Sequence, residues 1–115
     1  MSAEMDKDTV ERFKRRLEAE LQAVEKEIEE NAAWSAPVEL DQQSVGRVSR
    51  MDAMQMQAMS RAVQRRRAAR RVAVQQALKR IAEGEFGYCV ECGEPIAFGR
   101  LHLDPAFVAC IRCAR

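Results

Sequence analysis

Residues 84–115 read GEFGYCVECGEPIAFGRLHLDPAFVACIRCAR, and the use made of the four cysteines in this stretch decides the fold. Two residues separate Cys89 from Cys92 and Cys110 from Cys113, and 17 residues lie between the pairs. A two-residue gap lets a tight turn aim both sulfurs at one ion, and the spacer lets the second pair complete a tetrahedron. Gly93, directly after the first pair, suits the sharp turn of such a knuckle. The chain has no further cysteine. This layout is typical of structural zinc sites, which favours one zinc ion over iron, and four thiolates leave no open position for catalysis. Two disulfides, or four buried thiols, are the competing readings of the same residues. His102, the chain's one histidine, stands beside an already complete set and is expected at the surface.

Working outward, the composition changes at Gly84. The last segment holds four of the five glycines and four of the six aromatic residues. It reads as loops with a short β-hairpin and has too little apolar area to fold unaided. Upstream the chain is helical. Val10, Phe13, Leu17, Leu21, Val24 and Ile28 form one apolar stripe at a period near 3.5 over residues 8–33, which must be buried against something. Asp8 or Thr9 is the expected cap, with Glu11 placed to reciprocate. A second helix is expected over about 44–82, with Gly84 as its C-terminal stop. Its seam reads as Val45, Val48, Met56, Met59, Val63, Val74, Leu78 and Ile81, or as the thinner row Ala58, Ala62, Ala69 and Ala73.

Between the helices lies APVELDQQSVGR, residues 36–47, with Pro37 and Gly46. So short a connection makes an antiparallel hairpin with its tip at 34–43. Charge agrees: residues 1–40 carry a net −5 and residues 41–83 a net +7, so the two helices attract each other. The expected architecture is therefore mainly α. An antiparallel two-helix coiled-coil hairpin (residues 1–83) carries a small C-terminal four-cysteine zinc module (residues 84–115). The longer second helix is expected to overhang the start of the first and lead into the cysteine segment.

Composition excludes several classes of function. Hydrophobic residues make up 47% of the chain, but eighteen of them are alanine, so a deep core with a catalytic pocket is not expected. No stretch is apolar enough to span a membrane, and the N-terminus lacks the apolar core of a signal peptide. A cytoplasmic monomer is expected, where cysteines stay reduced. No P-loop, GxSxG or HExxH occurs. With one histidine, and every cysteine committed to metal, the usual acid–base equipment is absent. The chain does not read as an enzyme.

The segment Phe86-Gly87-Tyr88-Cys89, with Cys92-Gly93, Pro95-Ile96, Arg100-Leu101, Pro105 and Cys110-Ile111-x-Cys113, resembles the DksA/TraR family of bacterial zinc-finger transcription regulators. The resemblance covers the last thirty residues at motif level, and the hairpin supports it as architecture. It implies binding to RNA polymerase, insertion of the coiled-coil tip into the secondary channel, and a stringent-response setting with ppGpp as co-effector. The family tip carries Asp-x-x-Asp-x-Ala. Here the corresponding stretch keeps Asp41, but has Ser44 for the second acid and Gly46 for the alanine. Asp52 is a second acidic candidate, and Trp34 could brace the tip or touch the partner. The chain stops two residues after Cys113, where the family continues into a helix.

A carboxylate at the tip is a hard oxygen ligand suited to magnesium, and Asp41 equally suits an Asx-turn or helix cap. Arg61, Arg65, Arg66, Arg67, Arg70 and Arg71 form a basic band. It reads as a contact surface for an acidic partner, or as partners for glutamates of the first helix. Met51, Met54, Met56 and Met59 offer an adaptable surface near the tip. Two other readings are a zinc-ribbon nucleic-acid binder using the arginines, and a thiol-based redox sensor. No aromatics are interleaved with the basic residues, which argues against single-strand stacking, and direct sequence-specific DNA binding is not expected.

Overall fold

The computed structural model describes residues 6–32 and 47–114. Among these residues lie three helices: α1 (Lys7–Glu30), α2 (Arg47–Ala82) and α3 (Phe98–Leu103). Asp6 has extended backbone and accepts the Thr9 N–H at 2.7 Å, which starts α1. The cap therefore sits ahead of the expected Asp8 or Thr9, because a carboxylate satisfies the amide three residues on. Asp8 instead lies in the first turn, where negative charge favours the helix dipole. At the other end Asn31 closes the helix, with its backbone N–H and its Nδ2 both donating to Glu27 O.

α1 and α2 run antiparallel. Glu20 meets Arg70, Glu27 meets Arg67 at 3.1 Å, and Gln64 Nε2 donates to Ile28 O at 3.1 Å. One residue number falls as the other rises. The α1 stripe is the buried face, with Phe13, Leu17 and Val24 buried and Leu21 packed beside them. From α2 the seam receives Val74 and Ala77, with Ala73, Leu78 and Ile81 at its edge. Alanine at 77, only 1% exposed, brings the two backbones close enough for Leu17 to fill the space between them. This register places the C-terminal turns of α2 level with the start of α1. The overhang lies at the opposite end from the one expected, where α2 begins beyond the close of α1. There Met51, Met54, Met56 and Met59 are all exposed, so the seam is open at Met56 and Met59.

α2 ends in a Schellman motif: Glu85 N–H donates to Arg80 O and Gly84 N–H to Ile81 O. Gly84 takes φ +75°, which a side chain would resist. The chain then enters the cysteine module. The expected β-hairpin is here a single antiparallel bridge between Tyr88 and Pro95, with no strand among the described residues. Pro95 cannot donate to extend the ladder. α3, not anticipated from the sequence, drops Leu101 into the core at 1% exposure.

One apolar cluster unites these parts. Phe13 and Leu17 of α1 and Val74 and Ala77 of α2 pack with Phe86, Cys89, Ile96, Leu101, Ala106 and Cys110. The ring of Phe13 lies between Phe86 and Phe98, at centroid distances of 5.6 and 5.8 Å. The molecule measures 67 × 27 × 20 Å with a radius of gyration of 19.7 Å, against about 13 Å for a compact chain of this length. It is a rod with its core at one end. No helix among the described residues is long and apolar enough to cross a membrane.

Candidate metal centre

Each cysteine pair sits on its own tight turn. Gly93 N–H bonds back to Cys89 O at 3.0 Å, with Gly93 at φ +76°. In the second turn, Cys113 N–H and Ala114 N–H both donate to Cys110 O, at 3.0 and 2.8 Å. The two turns are joined by Val90 N–H to Val108 O at 2.8 Å, and Cys89 N–H donates to Glu94 O at 2.8 Å. Arg100 braces the return segment, donating from Nε to Ala109 O at 3.0 Å while its guanidinium lies 4.0 Å over the Phe107 ring.

The result is four Sγ atoms within 4.8 Å of one another. Cys92 and Cys110, from different turns, are 3.7 Å apart. A tetrahedral zinc ion with Zn–S near 2.3 Å has sulfur–sulfur edges of about 3.8 Å. The donor set therefore fits zinc in both chemistry and spacing, and the cofactor is a single structural Zn2+. Cys89 and Cys110 are buried, Cys113 is half-buried and Cys92 is exposed. The local field distinguishes the thiols. Backbone N–H groups of Cys92 and Cys110 pull Cys89 down to about 6, while hydrogen bonding with Cys110 and Cys89 pushes Cys113 up to about 12. Zinc takes all four cysteines as thiolates, so its binding releases the protons they carry. His102 is exposed outside this set, its ring stacked on Phe98 and its carbonyl accepting Arg16 Nη1.

The other sequence-derived candidates are distributed differently. Trp34, Asp41, Ser44 and Gly46 lie outside the described residues. Asp52 is exposed on α2 near its start. The basic band is not a single face. Successive helical residues turn by about 100°, so Arg65, Arg66 and Arg67 point in three directions. Arg67 donates to Glu27 and to Gln64. Arg70 is held by Glu20 and Asp104. These two follow the alternative reading of the band, as partners for glutamates of the first helix, and Arg70 takes Asp104 as well. Arg66 lines a groove beside Glu27 and Val24 of α1. Arg65 is exposed, Arg71 half-buried, and Arg61 exposed with an interaction of its own.

Sequence reasoning missed the residues that join module to hairpin. Arg16 of α1 donates to His102 O at 2.5 Å and Leu103 O at 3.0 Å, closing the C-terminal end of α3. Arg80 does the same for Glu85 O and Tyr88 O at the module's entry. Asp104 receives Arg70. The one local signal was the turn-forming dipeptide Asp104-Pro105. The arginines bond to backbone or across elements, which no local spacing reveals.

Comparison with known proteins agrees with this geometry. The family model described as the prokaryotic dksA/traR C4-type zinc finger matches residues 84–115. Two curated relatives are both RNA polymerase-binding transcription factor DksA, from Caulobacter vibrioides strains NA1000/CB15N and ATCC 19089/CB 15. Each is 50% identical over 32 residues, 28% of this chain and 22% of the relative's length. The match thus spans about a fifth of those relatives. The solved structure of transcription factor DksA2 from Pseudomonas aeruginosa superposes with a TM-score of 0.75 at 25% identity. That superposition covers 96% of this chain and 83% of the other.

Proposed function

We propose that this chain, whose residues 84–115 match the dksA/traR C4-type zinc finger, is a DksA/TraR-type transcription regulator that binds RNA polymerase and presents its hairpin tip to the secondary channel. Cys89, Cys92, Cys110 and Cys113 hold the zinc that fixes the base. The paired helices supply reach, and the turn around Asp41, Ser44 and Gly46 is the effector, with Trp34 and Asp52 beside it. The protein acts by binding and catalyses nothing. ppGpp enters as a modulator of the same complex. The observation that carries the reading is the combination of a four-sulfur centre with a 67 Å rod. A rod of two helices has almost no interior, so its useful surfaces are its tip, sides and base.

The test is transcription in vitro with the cognate polymerase, comparing wild type with Asp41→Ala, alongside direct binding. The reading expects both proteins to bind, and only the wild type to alter transcript yield. Absence of binding by the wild type would refute it. Adding ppGpp to the same reactions tests the modulator.

A further inference from the structure

Arg70 lies one turn before the fully buried Val74 of α2, and its guanidinium meets carboxylates from two other parts of the molecule. Nε and Nη2 donate to the two oxygens of Glu20 on α1, the Nη2–Oε1 distance being 2.8 Å. Nη1 and Nη2 donate to Asp104 Oδ2 and Oδ1, both at 2.8 Å. The three side chains are between 23% and 34% exposed, so water does not fully screen them. A guanidinium is rigid and planar, and two bidentate forks on adjacent edges fix both carboxylates relative to each other. Asp104 is itself fixed in the module. It ends α3, and its Oδ1 also accepts the Ala106 N–H at 3.0 Å. Ala106 is buried in the same cluster as Cys110.

Hydrophobic contact is non-directional, so the module's angle on the hairpin depends on directional contacts. Arg16 reaches the carbonyls of His102 and Leu103, and Arg80 those of Glu85 and Tyr88. Of these three arginines, Arg70 is the one that grips a module side chain with a bidentate fork. We propose that Arg70 is a positioning residue that sets the orientation of the zinc module on the helical hairpin, through paired bidentate contacts to Glu20 and Asp104. Small rotations at the base are magnified along a 67 Å rod, so Arg70 governs where the tip is delivered once the base has docked. This consequence rests on the polymerase-binding reading; the orientation itself does not.

The experiment measures residual dipolar couplings on the zinc-loaded, 15N-labelled full chain, fitted separately to α2 and to residues 86–110. Wild type is expected to show one common alignment frame, and Glu20→Gln, which keeps the Asp104 fork, to loosen it less than Asp104→Asn does. Arg70→Met and Asp104→Asn lose it, with reduced alignment in the module, while retaining one zinc per chain. Arg70→Lys behaves like Arg70→Met, since an ammonium cannot form both forks. Arg70→Met leaves two carboxylates facing each other, so the triple variant with Glu20→Gln and Asp104→Asn removes that repulsion and still loses the common frame. A wild-type frame in both Arg70→Met and the triple variant would overturn the proposal. Equal loosening by Glu20→Gln and Asp104→Asn would overturn it too, since the cluster would then act only through general stability. Polymerase affinity is read separately. Weakening by tenfold or more in the loosened variants supports the delivery role. A wild-type chain with one frame and no polymerase binding refutes the functional reading and leaves the joint standing.

Discussion

Asp104 is the residue at which acidity, capping and assembly converge. Burial pushes its carboxyl upward, but the Arg70 hydrogen bonds, the Ala106 N–H and the nearby Arg16 charge outweigh that and leave it below its ordinary value. A depressed carboxylate stabilises the fold at pH above its unfolded value of about 3.9, and that contribution is lost as pH falls through the folded value. Asp104→Asn is therefore expected to cost about 1–2 kcal/mol near neutrality, a charged hydrogen bond discounted for partial exposure. The gap from wild type should close as the pH drops below 4. Urea midpoints of the two proteins between pH 3.5 and 7 check this, and a pH-independent gap would mean that the Arg70 pair is not its source. The sequence allowed Arg70 a glutamate of the first helix as partner, but gave no sign of Asp104. Arg70 belonged there to a basic band, because nothing local told which arginines face α1.

At the scale of elements, the apolar stripe of α1 was legible because a helix buries residues at a fixed period. Phe13, Leu17 and Val24 are the ones that the structure buries. The seam of α2 was legible only in part: Val74, Leu78 and Ile81 of one row and Ala73 of the other lie in or against the core. Alanine contributes too little apolar contrast to fix the register, and Ala77 stood in neither row. Leu17 is fully buried where α1, α2 and the module meet. Leu17→Ala is expected to cost about 2–5 kcal/mol, seen as a lowered denaturation midpoint with zinc still bound. Met56→Gln and Met59→Gln, at 69% exposure each, should change stability by less than about 0.5 kcal/mol. A large loss at either methionine would contradict the open seam. α3 escaped prediction because its six residues carry no side-chain cap.

For the molecule as a whole, the cysteine spacing was the clearest signal, since metal geometry constrains sequence more tightly than packing does. The sequence alone suggests that chelation would unfold the last third and leave the hairpin intact. The structure leads to a different expectation, because Cys89 and Cys110 share one apolar cluster with Phe13, Leu17, Val74 and Ala77. Zinc removal should therefore also loosen the base of the hairpin and lower helical ellipticity; unchanged ellipticity after complete zinc release would separate the two. The tip, residues 34–43 by sequence, together with Ser44 and Gly46 just after it, is where function is proposed. The central claim is that this end of the rod enters the polymerase. Site-specific photocrosslinking tests it most directly, with benzoylphenylalanine placed at Gln42 in one protein and at Gln76 on the outer face of α2 in another. Efficient crosslinking from position 42 to the catalytic subunit near the secondary channel, with little from position 76, is the predicted result. Crosslinks from position 76 alone, or from neither position, would contradict the account.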